Sequence, residues 1–357
     1  MEFPKYNGNI HPDEWIKDIQ KFYYIWKTTY KEFLEIAISL VDPTIKLPTE
    51  IRDIEELRNA LKEDISFTIF KNTNKRILQA LKYITERKGG NTSNFISNFR
   101  KLCYNSEIND VEEQKKYLFN SLPINHLYYI QSEFHNKIKN VNSNNELIKK
   151  FEDIVVDEAN LITNESVVAL KHVATGKYLS SIKNVCYETG SKSQLVFVGS
   201  SEPDPNSLWK ILLNEELATY NKTSIKLQHV KSNMFLATSF ANLFNGITLL
   251  YNYYESPSTK HTEVNCCEYG NSWNFKRSKL ENHQGYLKSN DIINISIKKL
   301  LKLFNKNDKS GNNEQIEFLR SHDIQFTIGN DTFQEVVIHN ERLGGNDEWC
   351  VELIKQA

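Results

Sequence analysis

Hydrophobic positions follow two periods along this chain of 357 residues. Up to about residue 162 they recur at three- and four-residue steps, and from about residue 166 they alternate. The first period predicts helices. From Pro12, the residues Trp15, Ile16, Ile19, Phe22, Tyr23 and Trp26 make the stripe of an amphipathic helix. Pro12 suits a first turn, and Asp13 and Glu14 complement the positive end of the helix. A second helix is expected from about Lys31 to Val41, stopping before Pro43, and others at about 53–63, 65–87, 93–105, 110–121, 124–139 and 145–162. Asp110-x-x-Glu113 resembles a capping box, and Asn144 or Asn145 is placed to cap the last helix. Lys88-Gly89-Gly90-Asn91 is the clearest break and divides this half into lobes at about 1–88 and 91–162.

The second period carries an internal repeat. Val167–Ser181 has alternating residues on both sides of Ala174-Thr175-Gly176, which reads as a tight β-hairpin with Gly176 at a position needing positive φ. Leu170, His172, Gly176 and Leu179 return as Leu227, His229, Asn233 and Leu236, each 57 positions on (227 − 170). Asn is the next residue to tolerate the left-handed region. Trp209, Trp273 and Trp349 each start an alternating run, with Asn206, Gly270 and Asn346 as turn-formers three residues earlier. Leu179 precedes Trp209 by 30 residues and Leu319 precedes Trp349 by 30. In the middle copy Leu236 precedes Trp273 by 37, implying a longer loop through about Tyr251–Glu263.

The third copy departs most. Asn294–Lys299 resembles the first strand and Glu317–His322 the second, with a flexible polar loop expected at Asn305–Asn313. A helical turn at Ile297–Phe304 is the alternative to continued strand. Three copies of a four-strand unit, each ending near a Trp, describe a β-trefoil, with another closed or sandwiched β architecture as the alternative. The expected fold class is therefore α + β multidomain. An all-α, two-lobed half at 1–162 precedes an all-β trefoil at 166–357.

Charge and cysteines narrow the function. Charged residues are 25% of the chain and the formal net charge is −1, which offers nucleic acid or an anionic surface no basic balance to meet. The five cysteines, Cys103, Cys186, Cys266, Cys267 and Cys350, have no CxxC spacing and read as reduced thiols without a metal. Met1–Trp15 has no apolar core of a signal peptide, and no apolar run is long enough to span a bilayer. A cytoplasmic protein without membrane insertion is expected, the nucleus remaining open.

Two resemblances add to this. Phe3, Gly8 and Trp15 in FPKYNGNIHPDEW are similar to the opening of the Gag capsid region of long-terminal-repeat retrotransposons. Phe95, Phe99, Arg100 and Leu102, then Phe119, Leu122 and Pro123, resemble two later helices of that family. Ser121 stands where the family usually has Gly, and neither a zinc knuckle nor an Asp-Thr/Ser-Gly protease motif is present. The resemblance implies a self-associating capsid-type domain, an ordinary helical bundle being the alternative. For Tyr23, Tyr24, Phe33, Tyr128 and Tyr129 an assembly interface stands against simple core packing, which aromatic residues at helical spacing more often serve. The second resemblance is to the MIR domain, a β-trefoil found in protein O-mannosyltransferases, inositol trisphosphate receptors and ryanodine receptors. It rests on Leu170, His172, Thr175–Ser180, Leu227, His229, Phe235-Leu236, Trp209 and Trp273. The membrane catalytic domain that accompanies it in the transferases is absent here, so transferase activity is not implied.

No G-x-S-x-G, H-E-x-x-H, P-loop or nucleotide fingerprint occurs, and a non-enzymatic protein without cofactor is expected. His172 and His229 recur by symmetry, which favours hydrogen-bonded fold histidines over ligand contacts. Lys171, Lys177, Lys226 and Lys231 flank the same turns, where a phosphate or acidic partner would be met, although turn lysines are usually just solvated. The candidate ligand-binding residues are His172, Lys177, His229 and Lys231. Two functions follow: an assembly or adaptor protein forming homo-oligomers, or a module binding a glycan, an inositol phosphate or a protein. Nucleic acid is not an expected partner.

Overall fold

The computed structural model describes residues 4–26, 30–122, 128–244, 249–278, 285–300, 302–303 and 314–356. The chain divides into two compact units, Met1–Ala159 and Asn160–Ala357. With eight helices and a large antiparallel sheet among the described residues, it is a mixed α + β protein.

The first unit consists of α1 (Pro12–Trp26), α2 (Tyr30–Ser39), α3 (Ile54–Glu63), α4 (Ile65–Ala80), α5 (Thr92–Asn105), α6 (Val111–Ser121), α7 (Tyr128–Ile138) and α8 (Asn144–Ala159). Short polar side chains define several starts: Asp53, Asp64, Asn91 and Asp110 each accept a backbone N–H of the first turn. The last cap differs from expectation. Ser143 Oγ accepts the Glu146 N–H at 3.3 Å, whereas Asn145 accepts from Arg100. Helix α4 ends at Ala80 and does not run to residue 87. Beyond it the chain turns extended to bury Tyr83, whose N–H donates to Ser121 O at 2.8 Å and whose ring meets Phe95 and Phe151. That aromatic contact outweighs one more helical turn.

One core gathers Tyr6, Trp15, Ile16, Ile19, Phe33, Leu57 and Leu61, and Phe95, Phe99, Phe134 and Phe151 are buried in the later helices. Phe33 and Tyr129 are buried, so they pack the interior and present no assembly surface. The side chains of Tyr23, Tyr24 and Tyr128 lie outside the described residues. Helix α4 packs on α5 and α6, and Lys62 pairs with Glu107 at 3.1 Å across the Lys88–Asn91 break.

The second unit begins with β1 (Val167–His172), β2 (Leu179–Cys186), β3 (Gln194–Val198) and β4 (Leu208–Leu213). Next come β5 (Ile225–His229), β6 (Phe235–Ala237), β7 (Phe240–Phe244), β8 (Leu249–Tyr253), β9 (Thr262–Glu263), β10 (Asn265–Cys267) and β11 (Trp273–Arg277). Then follow β12 (Ile292–Leu300), β13 (Lys302–Leu303), β14 (Glu314–Ile328), β15 (Asp331–His339) and β16 (Trp349–Lys355). Strand β1 pairs with β4 and β16, β5 with β4 and β11, and β12 with β11 and β16, all antiparallel. These pairings form a closed ring of six strands, so none of the six is left with a free edge. Three further pairs, β2–β3, β6–β10 and β14–β15, join one another through β3.

The ring explains the alternation. Trp209, Trp273 and Trp349 are fully buried with Ile211, Phe275 and Val351 in a single core. Each indole N–H donates to the carbonyl of the leucine counted from the sequence: Trp209 to Leu179, Trp273 to Leu236 and Trp349 to Leu319, at 2.9, 3.1 and 3.1 Å. The 30- and 37-residue spacings are therefore hydrogen bonds, repeated three times.

Two expectations are corrected and one alternative is decided. Val167–Ser181 is not a ladder-forming hairpin: β1 meets only Tyr178, just ahead of β2, in the single bridge Lys171↔Tyr178, and β1 and β2 take other partners. The loop expected through about Tyr251–Glu263 is shorter: 254–261 lie outside the named strands, whereas Tyr251–Tyr253 belong to β8 and Thr262–Glu263 form β9. Strand β8 pairs with β7 on one side and β13 on the other in a separate three-stranded sheet. Ile297–Leu300 is strand, as part of β12. Asn305–Asn313 and Phe304 lie outside the described residues.

Candidate functional site

The repeated turn at the end of β1 and β5 holds the sequence-derived candidates. Opposite each Trp in the ring sits the last core residue of a neighbouring strand: His172 faces Trp349, His229 faces Trp209 and Ile297 faces Trp273. The third copy thus carries Ile where the other two carry His, which is why its histidine signature is missing.

Both histidines are fully buried beside the indole they oppose, at ring distances of 4.9 and 5.2 Å. His172 Nε2 lies 3.0 Å from the Asn346 carbonyl and Nδ1 lies 2.9 Å from Thr175 Oγ1. His229 repeats this with Asn206 O at 3.1 Å and Ser232 Oγ at 2.8 Å. A carbonyl only accepts, so Nε2 carries the proton and Nδ1 accepts from the hydroxyl. Burial pushes both imidazoles below the ordinary histidine value, outweighing the upward pull of the carbonyls. Each is a neutral clamp between its turn and the segment that leads into the Trp strand it pairs with, with no ring nitrogen left over.

The turns match their residues. Gly176 has φ +69° and Asn233 has φ +60°. Their N–H groups donate to the His172 and His229 carbonyls, both at 2.8 Å. A side chain added at Gly176 would meet open space, so the site tolerates the Asn that its twin carries. Gly270 answers a different need. A Cβ there would lie 2.5 Å from Phe235 Cβ, so the turn before Trp273 has no room for the Asn that stands before Trp209 and Trp349.

Around the clamps, Lys231 is exposed and donates to Asn206 Oδ1 at 3.0 Å. Lys177 is half-buried, and its ammonium has no ion-pair or hydrogen-bond partner among the described residues. Lys171 lies over the Tyr178 ring and 3.9 Å from Glu352, and Lys226 lies over Phe235. His172 and Lys177 belong to one turn, His229 and Lys231 to its twin on another strand pair.

Sequence reading missed a buried charged cluster in the third repeat. Asp347, fully buried, accepts from His339 Nε2 at 2.7 Å, from Arg320 Nε and Nη2 at 2.8 and 3.1 Å, and from the Gly344 N–H at 2.6 Å. Burial alone would raise its carboxyl; the bonds from His339, Arg320 and Gly344 prevail and bring it down to about 2. His339 Nδ1 accepts the Glu341 N–H, so this triad too is internally satisfied. Its members come from three separate places in the chain, and no spacing rule joins them. Glu335, also fully buried, accepts from the Ser258 and Thr259 amides and the Thr259 hydroxyl. The five cysteines are free thiols, and the described residues bring together no His, Cys, Asp or Glu set able to hold a metal. No helix among the described residues is long and apolar enough to cross a membrane.

No family model and no curated protein matches this chain. Solved structures do. The SDF2-like protein from Arabidopsis thaliana is similar at 22% identity and a TM-score of 0.40, covering 54% of this chain and 94% of its own. A Caenorhabditis elegans protein of unknown function is similar at 20% identity and 0.40, covering 54% and 97%. The S. cerevisiae protein O-mannosyltransferase Pmt1–Pmt2 complex bound to the sugar donor is similar at 14% identity and 0.39, covering 81% and 51%.

Proposed function

We propose that Asn160–Ala357 is a β-trefoil of the MIR type, and that the chain is a non-enzymatic assembly or adaptor protein whose helical unit is Gag-capsid-like and self-associates. The observation that carries the trefoil is the closed six-stranded ring with its three equivalent Trp–Leu bonds. A scaffolding role is supported by the chemistry of the repeats: His172 and His229 spend both ring nitrogens holding turns in place. Self-association is supported by helix α4, which leaves Ile65, Ile69 and Ile77 at 68, 58 and 48% exposure. Sedimentation velocity of the full chain at rising concentration tests this reading. Concentration-dependent oligomers are expected, and a strictly monomeric chain at high micromolar concentration overturns it. A second reading, a glycan- or inositol-phosphate-binding module, is favoured by Lys177, which has no partner among the described residues, and by the exposed Lys231 on the twin turn. A blank glycan array together with a blank inositol-phosphate titration sinks that alternative.

A further inference from the structure

The helical unit contains a second feature, independent of the trefoil. Helices α6 and α7 form the walls of a groove of about 460 Å³, within the range of ligand pockets. From α6 the lining residues Glu112, Lys115, Lys116 and Phe119 are spaced as one helical face; from α7 come Phe134 and Ile138, with Lys139 in the turn just past its end. The floor is apolar. Phe134 and Ile138 are buried, and Phe119 packs on Phe134 at a ring distance of 6.0 Å yet remains 40% exposed. The rim is basic. Lys115 is neutralised by Glu112 at 2.6 Å, but Lys116 and Lys139 are exposed without a partner among the described residues.

We propose that this groove docks an acidic amphipathic helix of a partner protein. A helix satisfies its own backbone, whereas an extended peptide needs a strand edge that two helical walls do not offer. Large apolar residues on one face of the partner fill the floor beside Phe119, and carboxylates flanking them meet Lys116 and Lys139. A bilayer is disfavoured because the apolar residues are recessed between helices. A second copy is disfavoured because the exposed isoleucine stripe of α4 brings no carboxylate of its own to the lysine rim, and Lys71 and Lys75 beside it already hold Glu107 and Glu113.

The test is selection of random helical peptides, displayed in a library, on the full chain, followed by fluorescence anisotropy with the enriched peptides. Enriched sequences are expected to be net acidic with apolar residues at i, i+4 and i+7. Phe119→Ser and the double change Lys116→Glu/Lys139→Glu are each expected to weaken binding at least about tenfold, and the affinity to fall as salt rises. Circular dichroism of each variant checks that the fold is kept. The proposal is overturned by no enrichment, by neutral or basic winners, or by acidic winners that bind both variants as tightly as the parent. It is equally overturned if Phe119→Ser removes only association with anionic vesicles, or only self-association by sedimentation. A monomeric chain that binds the acidic peptides refutes the self-association reading and leaves this one standing.

Discussion

Replacing His172 by Ile puts into the first repeat the residue that the third repeat carries at the same ring position, Ile297. Shape and strand propensity are kept, and the two hydrogen bonds of the clamp are lost. The Asn346 carbonyl then faces methyl groups in place of a donor at 3.0 Å, a loss worth about 1–3 kcal/mol for an acceptor left unsatisfied. His229→Ile is the internal control. The Asn206 carbonyl keeps the Ser181 N–H at 2.9 Å, so only a net hydrogen bond is lost, about 0.5–1.5 kcal/mol. Urea unfolding followed by tryptophan fluorescence at pH 7.5 should therefore rank wild type above His229→Ile and His229→Ile above His172→Ile. The pH dependence adds a second constraint. Burial lowers both histidines in the folded state, so below the unfolded value of about 6.5 the unfolded chain binds a proton that the folded one refuses. Wild type loses stability on that side, by up to about 1.4 kcal/mol per pH unit for each histidine, and each variant is spared its own share. The gap between wild type and either variant should narrow from pH 7.5 to 5.5. Variants as stable as wild type at pH 7.5, or a gap indifferent to pH, would refute the neutral-clamp assignment.

Two further outcomes follow from the same geometry. Gly176→Asn is expected to unfold within about 0.5 kcal/mol of wild type because Asn233 already occupies the twin position at φ +60°, whereas Gly176→Val is expected to cost about 1–2 kcal/mol in the same assay. Asp347→Asn should destabilise by about 2–4 kcal/mol at pH 7, since a buried carboxylate bonded to Arg320 and His339 is lost. That carboxyl sits at about 2 when folded and near 3.8 when unfolded, so its contribution is complete above about pH 4 and drains away as pH falls towards 2. Acid titration by circular dichroism should show the two proteins converging over that interval.

The repeat was readable because a ring of strands places the same demands on the chain three times. Each copy needs a large residue to fill the core and a turn residue that tolerates positive φ, and Trp209, Trp273, Trp349, Gly176 and Asn233 meet those demands with recognisable side chains. The helix spans were readable for a similar reason, since one face of each must be apolar, and Asp110 was identifiable as a cap from three residues of local sequence. The His clamp was visible only in two copies, because in the third an apolar Ile297 fills the same volume without asking anything of Gly270.

What the sequence determined by itself is thus local and periodic: the helical and strand halves, the spacing of leucine to tryptophan, and the two residues at left-handed turns. Tertiary structure alone decided which strands pair, so the apparent hairpin at Val167–Ser181 opened into two strands with other partners. It also decided where α4 stops, because burial of Tyr83 among aromatic rings outweighed continued helix. It alone joined Arg320, His339 and Asp347, and set Phe119 beside Phe134 between two lysines. Periodicity is a one-dimensional record of which face a residue turns inward. Partners from distant segments are chosen by packing and by the cost of leaving a buried polar group unpaired, and neither quantity exists until the chain has folded.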